Sequence, residues 1–430
     1  MQTTTTFGYR SGKLQKNVFK LLVSLSMITL LVACRHEPGH EKNEIIYIES
    51  NNYHANQNAI IAYARQPDGS MEQIPGSPFL TKGAGLANTA QILGPNDKET
   101  PEVIYNNKFL IAVNGGSNTI AVFDIHGNGT LNHVQGSPFP SGGENPVSIA
   151  ISGNYLYVVN KSQDPQKKVS LLPNYTAFTI GGNGSLTPVP GSKFETSEGV
   201  SPSQVLISVN QKFAFGTDFL GFMSSPPKGT LRSFAIHSGI LTPVAGTPYE
   251  LPANDGGALG LWQHPDANVL YVGFPVAGKI GIYSISGNGQ LSYRSSLTGG
   301  AATCWIRVTS DGKYMYTLNS AENTISVFNT INPLSPAFIQ KFTLKQSGPL
   351  YPGPMAGQKF TTSEDFHLSF SKSEKMLYVV SQHTNVDFSI GNYNYLHALV
   401  IDNNGSLTEP AEPTQLPVDP DIRPEGVVVF

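Results

Sequence analysis

Short apolar runs that alternate with polar residues recur along almost the whole chain, and glycine-rich turns separate them. The segment 118–139 shows this pattern most clearly. Residues 119–125 present alternate side chains to two faces, as a strand does, and Gly127-Asn128-Gly129 supplies positions that tolerate positive φ before the chain returns through Leu131. A single hairpin is marginally stable in water, so the pattern predicts hairpins that stack against one another.

Four strand-like phrases, which we call a, b, c and d, follow one another in a fixed order. Phrase b is an aromatic or aliphatic run, phrase c is the strand of the 118 type, phrase d ends in Gly-Ser-Pro-Phe at its clearest, and phrase a precedes b. Copies of phrase b begin at Tyr47, Ile111, Tyr157, Phe215, Tyr271, Tyr316 and Tyr378. Copies of phrase a are predicted at 89–93, 147–152, 204–208, 258–263, 305–309, 367–371 and 426–430.

These repeats predict an all-β fold, a seven-bladed β-propeller with four-stranded antiparallel blades. The pattern starts with phrase b at Ile45 and ends with phrase a at 426–430, so we expect the C-terminal strand to join the N-terminal blade and close the ring. An open solenoid would instead need polar caps at its ends. Residues 45–430 are therefore predicted to form one domain.

Composition agrees with many strands joined by tight turns, because 43 of the 430 residues are glycine and 31 are proline. The formal net charge of −3 and the lack of a lysine or arginine run after residue 20 argue against a nucleic-acid partner. The histidines never occur at metal-ligand spacing, so we expect no metal and no other cofactor. We expect a monomer with a small-molecule or protein ligand.

The N-terminal segment has the pattern of a targeting sequence. Basic residues precede an apolar run, 21–33, that is short for a membrane span and leads directly into Cys34. The small residues before Cys34 resemble the lipobox of bacterial lipoproteins, which predicts a signal peptide over 1–33 and a lipidated polar tether over 34–44. Arg35 in place of aspartate favours the outer membrane. The alternative is an ordinary signal peptide with a chance cysteine.

Long insertions gather on one face of the predicted disc. Antiparallel order places the b–c and d–a connections on that face, which we call the crowned face, and the a–b and c–d turns on the other. The crowned-face insertions are 51–57, 161–173, 219–228, 345–365 and 382–394, with 94–108 as a long a–b exception on the opposite face. Long loops on a rigid scaffold often carry binding sites. Aromatic residues in or beside these loops either form a ligand rim or pack the loops onto the disc: Tyr53, Phe222, Tyr351, Phe360, Tyr393 and Tyr395.

The amino-acid sequences of the repeats resemble those of a known family. Residues 323–328 (Asn-Thr-Ile-Ser-Val-Phe), residues 311–314 (Asp-Gly-Lys-Tyr) and the segment 182–192 are similar to the seven-bladed lactonase family, which includes 6-phosphogluconolactonase and the carboxymuconate lactonising enzyme. The resemblance covers residues 45–430 and implies the propeller fold. It also implies lactone chemistry in the central mouth, provided that the family's residues are present there.

Most of those family residues are replaced in this chain. The family's His-x-His falls on 201–204 and its Asp-Leu-Gly on 218–221, so that only the carboxylate of Asp218 survives. Its Arg-His pair falls on 257–260, its Asn-Glu on Phe274-Pro275 and its Asn-Arg on Asn319-Ser320. The expected histidine and arginine side chains are therefore missing at these positions.

Polar groups at the ends of strands b and before strands a make up the remaining candidate site. The candidate catalytic residues are Asp218, Asp365 and His367, because opening a lactone needs acid/base groups. The candidate ligand-binding residues are Asn114, Asn160, Ser203, Asn319, Glu364, Arg423 and Glu425. Asp365 with His367, or Glu425 with Arg423, are the pairs that could exchange protons. The alternative is that these groups are solvated or satisfy hydrogen bonds at the blade ends.

Two functional hypotheses follow. The first is a lipid-anchored cell-envelope propeller that binds a ligand or protein partner through its crowned face. The second is a divergent lactone hydrolase acting on a sugar lactone or another small cyclic ester. A base and a cation close to a shared point in the mouth would favour the enzyme.

Overall fold

The computed structural model describes residues 1–3, 44–87, 101–163, 168, 170–252, 255–348, 351–352, 359–361, 363–383 and 393–430. Compact units span residues 1–43 and 44–430. Within the described residues, no helix has both the length and the apolar character that a membrane crossing requires.

Seven sheets form the blades. Blade one contains β1 (Ile45–Glu49), β2 (Ala59–Arg65), β3 (Met71–Gln73) and β4 (Phe79–Leu80). Blade two contains β5 (Glu102–Tyr105), β6 (Phe109–Asn114), β7 (Thr119–Ile125), β8 (Leu131–His133) and β9 (Phe139–Pro140). Blade three contains β10 (Pro146–Ser152), β11 (Tyr155–Asn160), β12 (Asn174–Ile180), β13 (Leu186–Pro188) and β14 (Phe194–Glu195). Blade four contains β15 (Pro202–Ile207), β16 (Phe213–Asp218), β17 (Leu231–His237) and β18 (Ile240–Pro243).

The remaining blades follow the same order. Blade five contains β19 (Leu261–Gln263), β20 (Val269–Phe274), β21 (Lys279–Ile285) and β22 (Leu291–Thr298). Blade six contains β23 (Thr303–Val308), β24 (Tyr314–Asn319), β25 (Thr324–Asn329) and β26 (Ala337–Thr343), followed by a small sheet of β27 (Tyr351–Pro352) and β28 (Lys359–Phe360). Blade seven contains β29 (Ser363–Phe370), β30 (Met376–His383), β31 (Tyr395–Ile401), β32 (Leu407–Thr408) and β33 (Thr414–Gln415). The last strand, β34 (Glu425–Val429), belongs to blade one, and short 3₁₀ turns span Gly221–Met223 and Ser320–Glu322.

The predicted ring closure is confirmed. β34 pairs antiparallel with β1 as the inner strand of blade one. Glu44 fastens this blade to blade seven, because its carboxylate accepts hydrogen bonds from the backbone N–H of Lys372 (3.0 Å) and the hydroxyl of Tyr378 (2.6 Å). Residue 44, the last position of the predicted tether, is thus part of the compact unit.

Apolar contacts between adjacent blades form the core. Strands b are buried along almost their entire length because neighbouring blades cover both of their faces, which explains why they are apolar runs rather than alternating ones. Their tyrosines also hold the next blade: the Tyr47 hydroxyl donates to the Gly129 carbonyl (2.9 Å), and that of Tyr316 to the Gly405 carbonyl (2.8 Å). The recurring tyrosine of phrase b therefore connects each of these blades to a c–d turn beyond it.

One strand differs from the sequence prediction. The phrase a predicted at 89–93 lies outside the described residues, and the inner strand of blade two is β5, which pairs with β6. A tight turn with positive φ at Asn106 and Asn107 joins the two strands. The prediction of a long a–b connection over 94–108 was therefore wrong. The long connection runs from β4 to β5 and is a d–a connection, on the crowned-face side like the other insertions.

Candidate functional site

The candidate site lies at the crowned-face end of the ring, where blades seven and one meet. β29 supplies Glu364, Asp365 and His367, and the chain entering β34 supplies Arg423 and Glu425. These two inner strands contact each other closely across the ring closure. The structure thus brings together five of the residues that the sequence singled out.

His367 connects the two blades. It occupies a β-bulge in β29 with a φ of 57°, and its buried ring packs edge-on against Trp305 at 5.2 Å. Its Nδ1 accepts a hydrogen bond from the backbone N–H of Gly426 at 2.7 Å. Because Nδ1 is the acceptor, the neutral ring must carry its proton on Nε2. His367 is therefore held in one tautomer next to Glu425.

Other inner strands are also joined by a side chain that hydrogen-bonds the backbone of the next inner strand. The Ser148 hydroxyl of blade three accepts from the Val205 N–H of blade four, and the Gln204 carboxamide of blade four bonds the backbone of Leu261 in blade five. In each case a side chain near a bulge reaches the next inner strand. His367 is thus a titratable version of a contact that holds the ring together.

Asp365 is fully buried on β29 beside His367. Burial raises the pKa of its carboxyl well above the usual range, and the nearby carboxylates of Glu364 and Glu322 raise it further, while backbone N–H groups of Asp365 and Asn319 oppose the rise. The carboxyl therefore keeps its proton at pH values where an exposed aspartate is ionised. In that form it can donate a hydrogen bond or a proton.

Arg423 is a buried cation, with 2 % of its surface exposed. Its Nη1 donates to the carbonyls of Pro420 and Ile422, both at 3.2 Å, whereas its Nη2 has no hydrogen-bond partner among the described residues. Burial lowers the pKa of Arg423 to about 10, and attraction to Glu364 and Asp421 limits the drop. The guanidinium is still charged at neutral pH, so a donor and a positive charge are available to an anion.

Buried carboxyl groups lie around the start of β34, the strand that follows this arginine. Glu425 pairs in register with Glu49, and the carboxylate of Glu102 lies so close to Gly426 that a Cβ there would be 3.1 Å from Glu102 Oε1. Sequence reasoning missed Glu49 and Glu102. Glu49 is the last residue of an apolar strand and belongs to no recognisable motif. Glu102 lies in the segment 94–108, which the sequence analysis assigned to a loop. Within the described ranges, no group of histidine, cysteine, aspartate or glutamate side chains is arranged to hold a metal ion.

Asp218 lies elsewhere, at the end of β16 in blade four. It is fully buried, and its Oδ2 accepts hydrogen bonds from Nε and Nη2 of Arg232 at 2.6 and 2.5 Å. Burial raises the pKa of Asp218, and the Arg232 guanidinium opposes this. Because blades four and seven are three positions apart in the ring, Asp218 is not adjacent to Asp365 or His367. Its catalytic role stays a prediction.

The polar residues at the ends of strands b take part in a repeated pattern. In four blades this residue bonds the second or third residue of strand c: Asn160 with Thr176 (3.3 Å), Asp218 with Arg232 (2.6 Å), Asn319 with Ser326 (2.9 Å) and Ser381 with His397 (2.8 Å). We call these the b–c couples. All eight side chains are buried. They fix the start of strand c against the end of strand b.

The predicted ligand-binding asparagines and serine bond other parts of the protein. The Asn114 carboxamide oxygen accepts from Asn58 (2.9 Å) and Thr81 (2.6 Å), and the Ser203 hydroxyl donates to the Ser201 carbonyl (3.3 Å). Asn319 accepts from Thr303 (2.8 Å) in addition to its couple. Ligand binding by Asn114, Asn160, Ser203 and Asn319 stays a prediction.

The couple of blade seven extends into a relay. Ser381 Oγ lies 2.8 Å from His397 Nε2, and His397 Nδ1 lies 2.6 Å from Glu409 Oε1, while Glu409 Oε2 accepts from the backbone N–H of Lys345 at 2.8 Å. Asp365 is the register partner of Ser381. Serine, histidine and carboxylate in this order are the groups of a nucleophilic hydrolase. Ser381 was identifiable as a polar residue at the end of a strand b, but no sequence signal pointed to His397 or Glu409, because the three residues come from separate strands or their ends.

Some predicted rim aromatics gather at the same blades. The Tyr53 hydroxyl bonds the carboxylate of Asp421, and its ring packs on His54 at 4.3 Å. Tyr393, in the b–c connection of blade seven, and Tyr395, at the start of β31, stack at 6.4 Å. Phe222 is half-buried in blade four, and the side chains of Tyr351 and Phe360 lie outside the described residues. Tyr53, Tyr393 and Tyr395 therefore belong to the blades that carry Arg423 and His367.

Comparison with known proteins agrees with the fold. Residues 43–172 match the family model described as "Lactonase, 7-bladed beta-propeller". A putative 6-phosphogluconolactonase from Bacteroides uniformis is 16 % identical and covers 91 % of this chain and 100 % of its own, with a TM-score of 0.62. The periplasmic gluconolactonase of Pseudomonas aeruginosa is 15 % identical over 90 % of this chain and 98 % of its own (TM-score 0.59).

A hypothetical selenium-binding protein from Sulfolobus tokodaii has a similar TM-score of 0.60 at 9 % identity, over 90 % of this chain and 93 % of its own. Similarity at this level of identity reports the fold. No curated protein matches the chain significantly. The predicted resemblance to seven-bladed lactonase propellers is confirmed, with the family match covering blades one and two, apart from β34, and the first two strands of blade three.

Proposed function

We propose that this lactonase-like propeller binds a small, carboxylate-bearing polar molecule, such as a sugar acid, at the crowned-face mouth between blades seven and one. The observation that carries the proposal is Arg423. A buried guanidinium costs free energy unless an anion accompanies it, and Nη2 of Arg423 has an unused donor among the described residues. A ligand carboxylate would supply the missing acceptor and add a negative charge in direct contact with the guanidinium.

The neighbours of Arg423 suit the rest of such a ligand. Asp365, which keeps its proton through burial, can donate to a hydroxyl or carbonyl oxygen of the ligand. Glu364 is half-buried beside these groups and can accept from hydroxyl groups. Tyr53 and Tyr395 offer aromatic faces of the kind that pack against sugar rings. The site therefore suits a polyhydroxylated acid better than an apolar one.

Isothermal titration with D-gluconate, with D-glucose as the uncharged comparison, tests this proposal. We expect gluconate to bind and Arg423→Gln to weaken binding about 10- to 100-fold, since a hydrogen bond to a charged group contributes about 1.5–3 kcal/mol. Arg294→Gln, at an exposed arginine of blade five, is the matched control and should bind as the parent does. Equal affinity for gluconate and glucose, or an unchanged affinity in Arg423→Gln, would contradict the proposal.

Lactone hydrolysis is the second candidate function, and the Ser381–His397–Glu409 relay favours it. In such a reaction Ser381 Oγ bonds the lactone carbonyl carbon while its proton passes to His397 Nε2, and Glu409 stabilises the imidazolium. The ring C–O bond then breaks, and His397 returns the proton to the departing oxygen. Water, with His397 as base, hydrolyses the resulting ester and releases the hydroxy acid.

A panel of lactones that includes gluconolactone and 6-phosphogluconolactone tests the second candidate. We expect turnover that Ser381→Ala lowers by at least about 100-fold. Ser326→Ala, at the strand-c position of the blade six couple, removes a similar buried hydroxyl and should leave turnover unchanged. Full activity in Ser381→Ala, or no turnover of any lactone in the panel, would contradict a catalytic role of the relay.

We further propose that the chain is a lipid-anchored protein of the cell envelope, attached through Cys34. The pattern of residues 1–34 supports this, and the similar Pseudomonas aeruginosa protein carries a periplasmic description. Labelling cells with an alkyne fatty acid tests the anchor. The parent should be labelled and sediment with outer membranes, whereas Cys34→Ala should be unlabelled; an unlabelled parent would contradict the anchor.

A further inference from the structure

A cavity of about 480 Å³ opens at the end of the ring opposite the crowned face. Its walls come from the last residues of β15, β19, β23 and β29 and from the turns that follow them, in blades four to seven. Arg423 and Asp365 lie at the starts of inner strands, so the cavity and the proposed carboxylate site occupy opposite ends of the ring. Its volume falls in the range of small-molecule sites, about 300–1,000 Å³.

The cavity offers flat apolar surfaces. The half-buried ring of Trp262 lies on one wall and that of Phe370 on another, and aliphatic side chains such as Val209, which is 55 % exposed, complete the lining. The Arg307 guanidinium stacks on Trp262 at 4.3 Å, and its Nη1 donates to the Ile306 carbonyl at 2.9 Å. Stacking fixes the plane of a guanidinium without removing its charge.

The charges that line the cavity favour an anion. Arg307 and Lys372 are cations, and Glu374 is the single carboxylate of the lining. That carboxylate already accepts hydrogen bonds from the backbone N–H of Ser310 (2.9 and 3.0 Å) and from its hydroxyl (3.0 Å). Lys372 is exposed, with its ammonium 4.8 Å from the ring of Phe430. The lining thus contains two cationic side chains and one carboxylate, and both oxygens of that carboxylate accept hydrogen bonds from Ser310.

We propose that this cavity is a second binding site, for a small carboxylate that carries an aromatic or alicyclic ring. The ring packs between Trp262 and Phe370, and the carboxylate lies towards Arg307 and Lys372. This ligand differs in class from the hydrophilic acid proposed for the crowned face, because the lining here is mostly apolar.

Isothermal titration of the full-length protein with 1-naphthoate, the neutral 1-naphthalenemethanol and the cationic 1-naphthylmethylamine tests the site. We expect naphthoate to bind at least about 10-fold tighter than the amine, Arg307→Gln to weaken naphthoate about 5- to 10-fold, and Trp262→Ala to abolish saturable binding. The exposed Arg294→Gln is the matched control and should leave the affinity unchanged. Equal affinity for the three probes, or unchanged binding in Trp262→Ala, would overturn the proposal.

Val209→Asp gives a test that does not disturb the core, because the side chain is more than half exposed at the rim. The new carboxylate should weaken naphthoate and strengthen the amine, each by a few-fold. If neither affinity changes, the probes bind elsewhere and the assignment is wrong.

Discussion

Asp218 and Asp365 are two fully buried aspartates at the same end of blades four and seven, and they differ in what surrounds them. Asp218 has a guanidinium against one oxygen, whereas Asp365 is buried near the carboxylates of Glu364 and Glu322, which add to the effect of burial on its pKa. The first arrangement balances a buried charge and fixes strand c to strand b. The second keeps the carboxyl protonated. Identical residue types therefore serve structure in one blade and leave a proton available for chemistry in the other.

The same contrast holds for the b–c couples. In blade six, Asn319 and Ser326 are neutral at all pH values of interest. In blade seven the equivalent positions hold Ser381 and His397, and Glu409 extends the couple. The same position in two blades is thus occupied by a pair without acid/base groups in blade six and by a pair that includes a histidine in blade seven. The titratable pair occurs beside Asp365 and the ring closure, which is where the candidate site lies.

The largest effect that we expect comes from Asp218→Asn. The substitution leaves the buried Arg232 charge without its partner, which costs about 3–5 kcal/mol of unfolding free energy. Urea denaturation measures the loss. The double variant Asp218→Asn with Arg232→Met should recover part of it, because no unpaired charge is then buried. A loss below about 1 kcal/mol in the single variant would show that Asp218 is not structural.

Asp365→Asn should act on the pH dependence of stability. The pKa of Asp365 is raised in the folded protein, so between its unfolded and folded pKa values the folded state binds the extra proton. Its contribution to stability is full below the unfolded pKa and is lost as the pH rises through the folded pKa, with a slope approaching about 1.4 kcal/mol per pH unit.

Denaturation curves across pH 4 to about 8 measure this slope, which should be smaller in Asp365→Asn than in the parent. Asp218→Asn is the informative comparison, since its main effect is the loss of the ion pair to Arg232. If the unfolding free energy depends on pH in the same way in the parent and in Asp365→Asn, Asp365 is ionised in the folded protein. That result would contradict its assignment as a proton donor.

The smallest effect concerns the couples themselves. Ser381→Ala and Ser326→Ala each remove one buried hydroxyl hydrogen bond, and each should lower the unfolding free energy by about 1 kcal/mol. Thermal denaturation compares them directly. If the two variants lose similar stability and only Ser381→Ala loses turnover, the blade seven couple has a role beyond structure. If neither changes turnover, both couples are structural.

Much of the fold was predictable from local pattern, and part of the site was too. Phrases b and c recur as strands: residues 119–125 form β7, and the copies of phrase b at Tyr271 and Tyr316 lie in β20 and β24. Asp365, His367, Arg423 and Glu425, which the sequence assigned to the last two strands a, lie where blades seven and one meet. The inner strand β5 was not found, because Glu102 at its start and its length of four residues resemble a loop. His397 and Glu409 were not found either, because hydrogen bonds between strands have no sequence period.

The number of blades, the closure of the ring and the face that carries the long connections can all be read from the amino-acid order. These properties follow from repeat order and antiparallel alternation, which are encoded residue by residue. The role of each polar side chain, in contrast, depends on the packing of the folded protein. Whether a buried carboxyl meets a guanidinium, as at Asp218, or other carboxylates, as at Asp365, depends on groups that come from distant parts of the chain, and burial then multiplies the consequences for protonation.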